Sequence, residues 1–443
     1  MNKSFYIETF GCQMNKNDSA LMKFSLKQAG CAEASCIEEA DIAVYNTCSV
    51  RQHAEDRVLA RISSDKKHIK ARGGIVVVAG CMSQRIGGEL IDKGIADVAI
   101  GPYESPAIGK KLAEFLTDGA NPCGQKFLSA NEKDFESRLN FAALQTLPQN
   151  VWSEWLTITH GCENFCAYCI VPATRGKLIS FNSGDILAYA KALTERGVRE
   201  ITLLGQNVNQ FGQDTGDIPF YSLLEKTAAL PNLERLNFLT SHPKDFSQNI
   251  VKVIADNSNI SRCIHLPLQS GSDKILAAMN RQYTVEQYMQ IIETIDKHLS
   301  DYSITTDLIV GFPGETEFDY ACTVKAVNSV MFDEAFTYAY SPREGTPAFA
   351  LEENISRKEK LARLSDLIEL QRGISKQKLS ARINCIEDII PERVSRRSAA
   401  ELVGRTFLNH TAVLAGERSD IGRRIKVKIE AVKGSTLWGQ KIA

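Results

Sequence analysis

Residues 155–177 read WLTITHGCENFCAYCIVPATRGK. A short β-prone run leads into Cys162, Cys166 and Cys169, spaced CxxxCxxC, and then into a basic tail containing glycine. Three thiolates this close in sequence can wrap around one small inorganic core. A four-iron cubane held by three of them keeps one iron open, which makes an active site rather than an electron store. A structural zinc site would need a fourth Cys or His. Glu163 and His160 are the nearby candidates for that place, and three thiols with so weak a fourth ligand suit zinc less well than a cluster.

Outward from this array, six runs have strand character: 155–160, 200–205, 235–240, 263–269, 303–311 and 335–341. Helical segments separate most of them. One opens at Thr284 with a capping-box pattern and carries an apolar stripe through Val285, Tyr288, Ile292, Ile295 and Leu299. Six β/α units are too few for a closed eight-stranded barrel, so an open six-unit barrel is expected. Each strand is followed by polar or turn residues: Cys162, Gly205-Gln206-Asn207, Thr240-Ser241-His242, Gln269-Ser270-Gly271, Gly311-Phe312-Pro313 and Ser341-Pro342-Arg343. Parallel strands would gather all of these at one mouth. His242 and His265 read as structural, and Cys263, Cys322 and Cys385 lack cluster spacing.

Upstream, β-prone runs at 4–10, 41–46 and 75–80 alternate with helical periodicity at 17–29 and 51–71, the pattern of a parallel sheet covered by helices. These strands end at Gly11-Cys12, Thr47-Cys48 and Gly80-Cys81. The carboxyl ends of parallel strands share one edge, so Cys12, Cys48 and Cys81 can meet in space as a second three-Cys site. Cys31, Cys36 and Cys123 read as structural thiols. Downstream, 354–382 reads as a long polar helix joining the barrel to a C-terminal piece. Residues 376–443 hold 14 Lys or Arg against 7 Asp or Glu, and short alternating segments such as RRIKVKI put bases on one face. A small β-barrel with a basic face holds RNA by its backbone. The expected layout is an α/β chain: an N-terminal parallel-sheet domain over 1–118, a linker over 119–150, the open barrel over 151–377 and a small β-barrel over 378–443.

Composition agrees with such a chain. Its 443 residues, 44% apolar and 24% charged, suffice for two or three cored domains. A net charge of −1 excludes a global basic field, so any nucleic-acid contact must be local. The N-terminal MNKSFYIETFGC does not read as a signal peptide, and no run nears the ~20 apolar residues of a membrane helix. Twelve cysteines without an export signal point to a reducing, cytoplasmic setting, where they read as ligands or catalytic thiols. Nothing in the sequence demands more than a monomer.

A CxxxCxxC array on the first strand of a six-unit β/α barrel resembles the radical S-adenosylmethionine (SAM) superfamily. That resemblance implies a 4Fe-4S cluster on Cys162, Cys166 and Cys169 whose open iron binds SAM, cleaved on reduction to a 5′-deoxyadenosyl radical. Tyr168 resembles the aromatic residue near the adenine of SAM. Gly205-Gln206-Asn207 stands where the superfamily has a Gly-Gly-Glu-like turn, with Gln206 in place of the acid. Ser241, Gln269 and Ser270 are the further SAM contacts expected at the mouth.

ETFGCQMN, YNTCSVR, AGCMSQR, HGCENFCAYCIVPATRG, LLGQNVN, TSHP, HLPLQSGS and TDLIVGFPGET together look like the methylthiotransferases, and specifically their tRNA-modifying, MiaB-type branch. The C-terminal segment is similar to that family's TRAM domain, which implies RNA contacts from Arg405, Arg423, Arg424, Lys426 and Lys428. Ala173 and Leu178-Ile179 depart from the branch, which usually has an aromatic residue and a charged pair there. The resemblance implies two 4Fe-4S clusters, the second on Cys12, Cys48 and Cys81 supplying sulfur. The reaction implied is methylthiolation at carbon 2 of N6-isopentenyladenosine 37 in the tRNA anticodon loop, with an electron donor protein as partner. The same chemistry on a threonylcarbamoyl-modified adenosine or a ribosomal-protein side chain, or a non-enzymatic iron–sulfur carrier, are the alternatives.

Overall fold

The structure, a computed structural model, describes residues 1–49, 52–117, 125–127, 139, 144 and 151–442. The first sheet comprises β1 (Ser4–Thr9), β2 (Ala32–Glu33), β3 (Ile42–Thr47), β4 (Ile75–Gly80), β5 (Val98–Ile100) and β6 (Gln125–Phe127), in the order β2-β1-β3-β4-β5-β6. Every pairing is parallel. Helices α1 (Gln13–Gln28), α2 (Gln52–Ala71), α3 (Cys81–Asp92) and α4 (Ile108–Thr117) cover both faces. Alternation along the central strands sorts the two cores. Val44 and Val77 pack with Met22, Leu26 and Leu112. Tyr45, Val76 and Val78 pack with Val58, Ile62 and Met82 on the other side. Strand β6 falls inside the stretch that reads as a linker, and it extends this sheet. Cys123 lies outside the described residues.

Next come β7 (Ser153–Thr157), β8 (Thr159–His160), β9 (Ile179–Ser180), β10 (Glu200–Leu204), β11 (Arg235–Phe238), β12 (Cys263–His265), β13 (Ser303–Val310) and β14 (Glu334–Ala339). Parallel sheets β7-β10-β11 and β12-β13-β14 are joined by a parallel bridge between Leu236 and Ile260. This is the open six-stranded barrel that the sequence pattern predicts. The helix Val285–His298 starts at a capping box made by Thr284 and Gln287, and Thr316 with Asp319 does the same for Glu317–Val330. A cap of this kind stabilises a helix by about 1 kcal/mol, so these threonines fix where each helix leaves the mouth.

The helix Arg357–Ser380 is more than the polar connector its composition suggests. Leu367 and Ile374 are buried in the barrel core, and Gln371 donates to the Phe332 carbonyl at 2.7 Å. It then delivers the chain to a closed barrel, β15-β16-β17-β19-β18, built from β15 (Ile386–Val394), β16 (Glu401–Thr406), β17 (Thr411–Ala415), β18 (Ile425–Lys433) and β19 (Thr436–Lys441). Closure leaves no free sheet edge. This barrel docks on the amino-terminal ends of the central strands. Ser261 Oγ donates to the Phe407 carbonyl at 3.0 Å, Ser303 Oγ to the Leu408 carbonyl at 2.8 Å, and Arg235 to the Arg405 carbonyl at 3.1 Å. The mouth with the CxxxCxxC array is at the opposite end. Among the described residues no helix is long and apolar enough to cross a membrane.

Candidate active site: two cysteine triads

Strands β1, β3 and β4 are neighbours, so the cysteines that follow them share one edge. Gly11 sits at φ +137, and a Cβ there would meet the Cys48 side chain at 2.6 Å, which is how closely the first two strand ends approach. Asn15 binds them together. Its Oδ1 lies 3.2 Å from Cys12 Sγ, while its amide donates to Asn46 Oδ1 and to the Thr47 carbonyl, both at 3.1 Å. A hydrogen bond from Cys48 holds Cys12 down to about 6, against burial, with Arg175 helping. Cys81 is the first residue of α3, where helix amide groups favour a thiolate, although burial pushes its thiol up.

The second triad lies on the loop between β8 and α5 (Val171–Arg175). Gly161 starts that loop at φ +74, where an added Cβ would fall on the Lys177 carbonyl oxygen. The Gly161→Ala variant combines this backbone collision with a left-handed conformation, and should lose about 2–4 kcal/mol of stability. Its thermal midpoint and its iron content after reconstitution should both fall. Burial lifts Cys162 to about 11 and Cys169 to about 12. Binding of a metal at these two thiols would release their protons.

Two partners of Cys166 come from far along the chain. Arg281 Nη1 donates to Cys166 Sγ and to the Tyr168 hydroxyl, each at 3.3 Å, and its Nη2 donates to the Pro267 carbonyl at 3.0 Å. His242 Nε2 stands 3.8 Å from Cys166 Sγ, while its Nδ1 accepts from the Lys244 amide at 3.3 Å. Burial, then Arg281, lowers His242 to about 2, so the ring is neutral. With Nδ1 accepting, the proton sits on Nε2 and points at the sulfur. In sequence His242, set before Pro243, reads as structural; in the fold it is also a donor to a cysteine of the array.

Among the described residues, no three His, Cys, Asp or Glu side chains close on one point as a single ion requires. A four-iron cubane takes each thiolate on a different iron, so its ligands need not converge on one point. The mouth also fits a polar ligand. Gln206 Oε1, Ser241 Oγ and Gln269 Oε1 end three different strands, buried without a protein hydrogen bond. Thr240 and Gln269 hold left-handed φ of +70 and +69, a strain found where ligands are clamped. Asn207 instead donates to Asp245 at 2.7 Å, and Asp245 also accepts from Asn164 at 3.2 Å, tying the cysteine loop to β10 and the turn after β11. Ser270 Oγ faces Thr323 Oγ1 at 3.4 Å and anchors a neighbouring helix. Gly205 lets the β10 turn pass against Thr159.

Two arginines of the central barrel reach the first domain beside its cysteines. Arg175, at the end of α5, donates Nε to Cys81 Sγ at 3.2 Å and Nη2 to Asp18 at 2.8 Å. Burial opposes its charge, but Cys81, Asp18 and Cys12 outweigh that. Arg343, after β14, reaches the Ser49 carbonyl and Glu55, while Glu55 also pairs with Arg85 at 2.7 Å. The residue next to Cys48 is therefore held by the barrel mouth.

Comparison with known proteins fits this arrangement. Residues 4–101 match the uncharacterized protein family UPF0004, and residues 156–326 match the radical SAM superfamily. A tRNA-2-methylthio-N(6)-dimethylallyladenosine synthase of Sulfurihydrogenibium sp. is 40% identical over 440 residues, covering 99% of each chain. The synthase of the same name from Thermoanaerobacter pseudethanolicus is 39% identical, covering 100% of this chain and 93% of its own. The chain belongs to the MiaB-type branch of the radical SAM methylthiotransferases. Among solved structures, the radical SAM methyltransferase TsrM from Kitasatospora setae aligns with a TM-score of 0.58 at 12% identity, over 79% of this chain and 75% of that one. At that identity it shows the shared fold alone.

In this methylthiotransferase the lumen of the open barrel is a cavity of about 1540 Å³. Gln13 and Trp155 line it near the cysteines, Asn237 and Phe336 along its wall, and Arg405 and His410 at the far end. It joins the neighbourhood of Cys12 to the C-terminal barrel. On that barrel Lys426, Lys428 and Arg423 are exposed. Arg405 and Arg424 have protein partners: Arg405 contacts Glu392 at 3.6 Å and Asn409 at 2.9 Å, and Arg424 pairs with Asp388 at 2.6 Å and covers the Phe407 ring at 4.3 Å. Of the departures from the branch, Ala173 is exposed, and Ile179 pairs with His160 in the β8-β9 ladder.

Proposed function

We propose that this chain methylthiolates carbon 2 of N6-isopentenyladenosine 37 in tRNA, using two 4Fe-4S clusters and SAM. Support comes above all from identity of 40% over the whole chain to a relative of that name, together with the Arg175 contact that links the CxxxCxxC segment to Cys81. When bound, the cluster on Cys162, Cys166 and Cys169 supplies the electron that cleaves SAM, and the one on Cys12, Cys48 and Cys81 supplies sulfur. The protein's part is placement. Gln206, Ser241 and Gln269 offer buried acceptors to the polar groups of SAM, and Tyr168 is held by Arg281 beside Cys166. Arg281 and His242 each direct a proton at the Cys166 sulfur, which stabilises added negative charge there. A base splayed from the anticodon loop enters the lumen. An electron donor protein in the cytoplasm completes the system, with the chain acting as a monomer.

Nucleosides from the tRNA of a deletion strain test the substrate. Loss of the methylthio-isopentenyl nucleoside is expected. Unchanged levels, with loss of a methylthio-threonylcarbamoyl nucleoside or of a ribosomal-protein modification, would move the chemistry to another target. Binding tests the RNA surface. Lys426→Glu with Lys428→Glu should weaken binding of an anticodon stem-loop about uniformly across sequences and flatten its salt dependence, by roughly one unit of log–log slope for each phosphate no longer neutralised. Fluorescence anisotropy over a salt series reads both.

A further inference from the structure

We propose that Arg175 is a positioning residue for the Cys12, Cys48 and Cys81 site, and that it sets how readily a cluster there accepts an electron. This rests on the proposal that the three thiols hold a cluster. Arg175 is 2% exposed and lies six residues beyond Cys169. All three of its nitrogens are committed or enclosed. Nε donates to Cys81 Sγ at 3.2 Å, and Nη2 donates to Asp18 at 2.8 Å. Nη1 is buried without a protein partner. A buried guanidinium nitrogen is costly to leave unsatisfied, and a cluster sulfide or an added sulfur ligand beside Cys81 is the acceptor this space offers. The backbone is pinned as well, because Tyr103 donates its hydroxyl to the Arg175 carbonyl at 3.1 Å.

The electrostatics follow from the donor set. Taking a guanidinium out of water is costly, and the Asp18 carboxylate balances its unit charge but accepts from Nη2 only, leaving Nε and Nη1 to find acceptors elsewhere. The thiols of the site are the remaining neighbours. Reduction adds one negative charge to a cluster, and a hydrogen bond and a fixed positive charge at a ligand sulfur both stabilise that state. Arg175 therefore raises the potential of this site. Its peptide is continuous with the loop carrying Cys162, Cys166 and Cys169, so a residue of that segment serves the first site. Lysine could supply the charge, but not the fork that reaches Cys81 and Asp18 together.

The test uses the full chain with Cys162→Ala, Cys166→Ala and Cys169→Ala, reconstituted anaerobically with iron and sulfide so that one cluster is observed. A redox titration followed by electron paramagnetic resonance compares Arg175→Gln and Asp18→Asn in that background. Arg175→Gln should lower the reduced-to-oxidised ratio at fixed potential at least tenfold, a negative shift of about 59 mV for one electron. Asp18→Asn removes a negative charge but keeps Nε on Cys81, so it should leave the potential unmoved or shift it positive. A merely structural role for the buried pair predicts that both variants behave alike. A change under threefold in Arg175→Gln, or shifts of the same sign in both variants, would overturn the proposal. If Arg175→Gln loses iron, Arg175→Lys is read instead; a smaller negative shift supports the proposal, and an unmoved potential or lost iron overturns it. A background chain that binds no iron with Arg175 intact would refute the cluster itself, a distinct failure.

Discussion

Replacing Cys162, Cys166 or Cys169 with Ala should abolish 5′-deoxyadenosine formation and lower the iron from roughly eight to roughly four per chain. The expectation follows from how little else could hold a cluster at the mouth. His160 is in the β8 ladder, and Glu163, exposed in the same loop, offers a carboxylate that prefers harder metals than a sulfide cluster. His242 has its Nδ1 engaged by the Lys244 amide and its Nε2 turned to Cys166. Two remaining thiolates leave two irons open, which strips the single vacancy that SAM requires. Anaerobic reconstitution, iron analysis and a dithionite-driven SAM cleavage assay read the outcome. Retained cleavage in any one of the three variants would remove that cysteine from the site. Roughly four irons in the unaltered chain, with no cleavage, would favour a single-cluster carrier.

How far these sites were legible in sequence depends on the range of the interactions that build them. The strand-end cysteines were readable because Cys12, Cys48 and Cys81 follow β-prone runs at matched positions, and a parallel sheet leaves a consistent edge. Strand β6 was not. Its three residues sit among Gly, Pro, Asn and charged residues, and what selects them is pairing to β5, which local pattern does not carry. The helix Arg357–Ser380 was readable as a helix but not as a packed one, because its buried Leu367 and Ile374 are thinly spaced among charges. Arg281 meets Cys166 across 115 residues and Arg175 meets Cys81 across 94. An isolated arginine has no periodicity, so neither had a sequence signal beyond its place in a motif. The proposed RNA face shows the opposite case. Local charge picks out the C-terminal barrel but does not tell Lys426 and Lys428 from the equally exposed Arg405 and Arg424, whose side chains also pair with Glu392 and Asp388.

Replacing Cys12, Cys48 or Cys81 with Ala should separate the two triads by function. Methylthio transfer to an isopentenylated anticodon stem-loop should be lost, while reductive SAM cleavage persists in part. The reason is that their supporting contacts are largely independent. Cys166 is served by Arg281 and His242, both from the central barrel, and Asn164 is held by Asp245. Cys12 is served by Asn15, and Asn15 by Asn46 and Thr47, all within the first domain. Arg175 joins the two, so the three variants should differ. Cys81→Ala deprives Arg175 of its sulfur acceptor and leaves a buried donor unpaired, at a cost of about 1–3 kcal/mol. It should lower the thermal midpoint more than Cys12→Ala, which leaves no buried guanidinium without its acceptor. SAM cleavage should also fall further in Cys81→Ala, because the strain is delivered to the end of the loop that carries Cys162, Cys166 and Cys169. Equal cleavage and equal stability in all three variants would mean that Arg175 transmits nothing between the sites. Complete loss of cleavage in all three, with folding intact, would mean that one site cannot work without the other and that the radical and sulfur roles are not divided between the triads.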